Sequence, residues 1–156
     1  MWSDFTPLEL LADRLRQAPS ADPEIFSAVV ATCGRVAVLK TAGKAARLDR
    51  MLTNAAWTDA AITLIALELP AWAIRRLVYE DGEWICTLSR QLNLPPEIDD
   101  AVDSHHPVLP LAILSALIEA RARKTDHSQT DPFRAPQIGQ VTDQASDRVL
   151  CCDNFA

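Results

Sequence analysis

Between Trp72 and Arg90 the chain reads WAIRRLVYEDGEWICTLSR, two runs rich in β-branched and aromatic residues separated by Asp81-Gly82. An Asp-Gly pair readily takes the positive φ angles of a two-residue type I′ turn, so the segment predicts a β-hairpin with strands over 72–80 and 83–90. The turn also sets the register: Glu80 opposite Glu83, then Tyr79 with Trp84, Val78 with Ile85, Leu77 with Cys86 and Arg76 with Thr87. Side chains alternate along a strand, which puts Leu77, Tyr79, Trp84, Cys86 and Leu88 on one face and Trp72, Ile74, Val78 and Ile85 on the other. Both faces are largely apolar and both call for a cover.

The rest of the pattern is helical. Thr6-Pro7-Leu8-Glu9 is a capping box with proline at the first helical position, followed by Leu8, Leu11, Ala12 and Leu15 at helical spacing up to about Ala18. Asp22-Pro23-Glu24 repeats the start signal ahead of the stripe Ile25, Phe26, Val29, Val30 and Cys33. Residues 35–41 either continue this helix, the reading favoured, or form a short strand. Lys44 to Asn54 reads as a third helix, and Thr58 or Asp59 caps a fourth that Pro70 stops. That fourth helix, with Ile62, Leu64, Ile65 and Leu67, is apolar all round and is expected to sit at the heart of the fold. QLNLPPEIDDAVDSHHP is expected to be a loop with a helical turn at Pro96, and Val108 to Lys124 a final helix buried through Leu111, Leu114, Leu117 and Ile118. The fold class is therefore α+β and mostly α: about five helices packed around one hairpin, with a winged-helix arrangement as an alternative assembly.

Composition narrows this further. At 156 residues and 49% hydrophobic, one domain is expected, spanning 1–124. From Thr125 onward Asp, Gln, Ser, Thr and Pro dominate, and 125–156 is expected to be a disordered tail. The net charge of −6 opposes non-specific nucleic-acid binding. The opening MWSDFTPLELLADRLRQAP has acids where a secretory signal needs a basic region and a continuous apolar run, and no later stretch is long and apolar enough to span a bilayer. The expectation is a cytoplasmic protein with no membrane partner.

Candidate chemistry is sparse. Asp99, Asp103, His105 and His106 gather carboxylates and imidazoles suited to zinc, manganese or iron, but their spacing matches no catalytic metal motif. The plainer reading is a polar loop leading into a helix. Cys33 and Cys86 have apolar neighbours and read as buried thiols, and Cys151-Cys152 forms no ligand-spaced pair. With four glycines in the chain there is no phosphate-binding loop and no GxSxG, and no cofactor is expected. Arg75 and Arg76 must point to opposite faces, as an anion site or, on the plainer reading, as ion pairs.

The block Trp72 to Arg121, through IRRLVYEDGEW, LSRQLNLP and LPLAILSALIEAR, resembles a group of small bacterial proteins without assigned activity, and the resemblance implies none. The residues themselves point to a non-catalytic protein that binds a protein partner or a second copy of itself. Trp72, Ile74, Val78 and Ile85 are the expected interaction surface. A winged-helix regulator that binds DNA is the alternative. It is opposed by the lack of base-reading side chains over 59–69 and by the acidic tip Glu80-Asp81-Gly82-Glu83. A metal-dependent enzyme stands third.

Overall fold

The structure, a computed structural model, describes residues 6–95 and 97–129. Its hairpin forms because Asp81 and Gly82 take φ values of 53° and 90°, the left-handed conformation that a type I′ turn requires at both central positions. β1 (Ala73–Glu80) and β2 (Glu83–Ser89) pair in the expected register from Glu80–Glu83 back to Arg76–Thr87. Before that point the register shifts: Arg75 is an extra residue, and Ile74 pairs with Leu88. This bulge turns Ile74 onto the face of Leu88, which corrects its expected place beside Val78 and Ile85.

The second correction is a strand where a loop was expected. β3 (Val102–His106) pairs antiparallel with β2, giving the sheet order β1-β2-β3. Its inward residues are Val102, Ser104 and His106, all buried, while Asp103 and His105 face outward. The polar inward atoms are satisfied locally. The Ser104 hydroxyl donates to the Ala112 carbonyl at 2.6 Å, and the Val108 N–H donates to His106 Nδ1 at 2.9 Å. The alternation of a strand was present in the sequence but carried by Ser and His rather than by apolar residues.

The helices are α1 (Pro7–Gln17), α2 (Pro23–Thr32), α3 (Gly34–Thr41), α4 (Ala46–Thr53), α5 (Trp57–Glu68) and α6 (Leu109–Gln129). α1 starts at the expected capping box: the Glu9 N–H donates to the Thr6 hydroxyl at 3.3 Å, and the Thr6 N–H donates to Glu9 Oε2 at 2.7 Å. Residues 35–41 are helical but separated from α2 by a break at Cys33. A winged helix needs a strand near there, whereas the third strand of this sheet follows the hairpin.

The core centres on α6, which packs against β2 and β3 on one side and α1 and α5 on others. Every residue from Pro110 to Ile118 is buried. α5, expected at the heart, is one-sided: Ala60, Ala61, Leu64, Ile65 and Glu68 are buried, while Ile62 is 40% exposed. An apolar composition made α5 eligible for the centre, but neighbours on all sides put α6 there. α6 runs through Gln129, beyond the expected end near Lys124, and the expected tail from residue 130 on lies outside the described residues.

Ile65→Ala in α5 is expected to cost roughly 2–5 kcal/mol by opening a core cavity. Ile62→Ala, two-fifths exposed, is expected to cost about 1 kcal/mol or less. Equal losses at the two positions in denaturant titration would contradict this placement of α5.

Candidate interaction surface

The sheet has two unlike faces. The inner face, built from Ile74, Leu77, Trp84, Cys86, Leu88, Val102, Ser104 and His106, meets α6 and the core. The outer face carries Arg76, Val78, Ile85, Thr87, Asp103 and His105. Among the described residues the helices lie on the inner side only. Val78 and Ile85 are half-buried side by side in the middle of the outer face, flanked by exposed His105 and Arg76.

The connection between β2 and β3 is tied back to β1. Arg75, displaced by the bulge, reaches into it: Nη1 donates to Asp99 Oδ2 and Nη2 to the Leu94 carbonyl, each at 2.7 Å. The Asp99 side chain is almost fully covered. The Ser89 hydroxyl and then the Arg75 guanidinium hold its carboxyl below the usual carboxylate range. Asp100 pairs with Arg123 at 3.2 Å and with Arg90 at 3.6 Å, and Arg90 lies 5.3 Å from the Trp72 ring centroid. Both hairpin arginines are thus ion-paired, Arg76 with Glu80 at 2.6 Å.

The candidate metal ligands each have a place in this arrangement. Asp99 serves Arg75, Asp103 accepts from the Thr87 hydroxyl, His105 faces outward and His106 inward with its Nδ1 engaged. Among the described residues no group of three or more His, Cys, Asp or Glu is placed to hold a metal ion. Adjacent histidines on a strand must diverge because the side-chain period is two. Of the expected interaction residues, Trp72 is 7% exposed and belongs to the core, and Ile74 packs against it. Val78 and Ile85 remain at the surface, and Tyr79, assigned to the inner face, projects past the core with 57% exposure. Its ring lies 5.2 Å from that of Trp84.

The other features of the described residues offer no reactive set. An open cleft of about 480 Å³ lies at the start of α5 and α6, lined by Ala21, Ala56, Trp57, Asp59, Val108 and Pro110 among others. It holds one ionisable group, the acid Asp59, and no nucleophile with a base beside it. Burial pushes the Glu119 carboxyl up from its ordinary value, with Arg123 and Arg16 opposing. Sequence reasoning also missed a buried bridge. The Arg121 Nη1 donates to the Thr32 hydroxyl at 2.7 Å and its Nε lies 3.6 Å from Glu68, which in turn accepts from the Val36 N–H at 3.1 Å. Glu68 thereby caps α3, whose own cap residue Cys33 offers no side-chain hydrogen bond.

No protein family, curated protein or solved structure matches the chain. Among the described residues no helix is long and apolar enough to cross a membrane.

Burial raises the Cys33 thiol to about 11 and the Cys86 thiol to about 12, so both stay protonated and shielded at neutral pH. In a variant with Cys151 and Cys152 replaced by serine, the native protein is expected to consume no thiol reagent at pH 8 and to react at both positions once unfolded. Rapid native labelling would mean that one of these thiols is reachable and activated.

Proposed function

We propose that this protein is a non-catalytic module that binds protein, either a second copy or another chain, through the open side of its sheet. The supporting observation is the asymmetry of cover. Among the described residues the helices lie on one face, leaving Val78 and Ile85 half-buried side by side on the other. Soluble proteins seldom leave such a surface on a sheet without a use for it. The described residues bring together no group of three or more metal ligands, and the cleft at the start of α5 and α6 has Asp59 as its one ionisable group.

DNA binding, the alternative, draws less support. The exposed residues of α5 are Asp59, Ile62 and Ala66, none of which reads base edges, and the hairpin tip carries Glu80, Asp81 and Glu83. A phosphate backbone is repelled by that tip.

Val78→Lys is expected to leave the melting temperature nearly unchanged, because the side chain already borders solvent. It is expected to weaken self-association in sedimentation experiments, or the capture of a partner that the unaltered protein binds. Association untouched by Val78→Lys, or no association together with salt-sensitive retention of duplex DNA, would overturn the reading.

A further inference from the structure

In a two-residue hairpin the pair flanking the turn exchanges backbone hydrogen bonds, and the bonded pairs recur at every second position. Glu80–Glu83 is that pair here, so Glu80, Val78 and Arg76 aim their N–H and C=O groups at β2. Leu77 and Tyr79 aim theirs the other way. β1 lies at the edge of the sheet, so among the described residues those groups face no neighbouring strand. An open edge of this kind is a template for one more strand.

The edge is short and marked. The Arg75 bulge ends the regular ladder, leaving Arg76-Leu77-Val78-Tyr79-Glu80: a base, three apolar residues and an acid. Run antiparallel to itself about Val78, this pattern is self-complementary. Arg76 faces Glu80 of the second copy, Leu77 faces Tyr79, and Val78 faces Val78. The hydrogen-bond parity agrees with the charges, since the two residues with free backbone groups, Leu77 and Tyr79, meet each other and exchange both bonds. Centring the pair on Leu77 sets Arg76 against Val78 and Ile74 against Glu80. Centring it on Tyr79 sets Val78 against Glu80. Both of those registers face a charge with an apolar side chain.

Resting on the reading of this side of the sheet as a protein-binding surface, we infer that its occupant is a second copy of the same chain, paired β1 to β1 about a two-fold axis through Val78. The product is a continuous six-stranded sheet with the helices of both copies on one side and a single open face, carrying Val78 and Ile85 of each copy, on the other. Arg76 and Glu80 already pair within the strand at 2.6 Å, so exchanging partners adds little affinity and acts by selecting register and partner. Charged residues at the edge discourage unlike strands while matching their own copy. Five residues of strand make a small contact, and interfaces below about 1,200 Å² in total belong to weak or transient complexes, so a concentration-dependent monomer–dimer equilibrium is expected.

A charge-swap cycle tests the pairing. Arg76→Glu puts glutamate against Glu80 of the second copy, and Glu80→Arg puts arginine against Arg76, twice in each homodimer. Both residues are half-exposed, so both variants should fold, which their melting temperatures check. The unaltered protein should show a monomer–dimer equilibrium in sedimentation. Each variant alone should dimerise about tenfold more weakly or worse, since like charges are then directly opposed. Mixed in equal amounts, the two variants restore both opposite-charge pairs, and native mass spectrometry should find the heterodimer at near the original affinity. A monomeric unaltered protein overturns the inference, as do variants that dimerise normally or a mixture no better than its parts. If self-association falls with Val78→Lys yet ignores the charge swaps, the open face is the binding surface but the β1 edge is not its mode. In that case the broader reading stands while this one fails.

Discussion

The residues from Pro110 to Ile118 have no side that tolerates water, and the rest of the structure is arranged around that demand. A helix buried all round must be surrounded, and α6 is: β2 and β3 cover one side, α1 and α5 others. Each fully buried leucine or isoleucine on it contributes about 1.5–3 kcal/mol, and with Leu111, Ile113, Leu114, Leu117 and Ile118 it supplies more of the large fully buried side chains than any other described element. The same demand explains the bare face of the sheet. Among the described residues the helices are drawn to α6, and the face carrying Val78 and Ile85 is left without one.

Two polar devices hold the surrounding pieces in place. The Glu68–Arg121 bridge joins the end of α5 to α6 and, through Val36 and Thr32, fixes the junction of α2 and α3. A buried pair of this kind adds modest net stability because desolvation offsets attraction, but removing one partner strands the other. Its effect is to specify how the helices meet. The second device, Arg75 with Asp99 and Leu94, fastens the β2–β3 connection and marks where the open edge of β1 begins.

What was legible in the sequence was local. The Asp-Gly turn carried the hairpin and its register to Arg76, and Thr6 with Glu9 carried the start of α1, because each is decided by residues a few positions apart. The misreadings concern partners far along the chain. The bulge at Arg75 reflects an attachment to Asp99, and β3 is a strand because β2 offers an edge and Ala112 and Val108 satisfy its polar residues. The choice of α6 over α5 as the central helix depends on which of two apolar helices is enclosed, which periodicity does not encode. For the candidate surface, Val78 and Ile85 were placed correctly by alternation alone. Trp72 and Ile74 were lost to the core, the first because it precedes β1 and the second because the bulge reversed it.

The central claim is that the outer edge of β1 is open in a single copy and closed by a second. Residue-resolved amide hydrogen exchange along β1, followed from dilute to concentrated protein, tests it directly. The Val78 and Glu80 amides, bonded to β2, should be protected at every concentration, whereas Leu77 and Tyr79 should exchange freely in dilute solution and gain protection as copies pair. Protection of Leu77 and Tyr79 that does not change with concentration, whether high throughout or low throughout, would contradict the account.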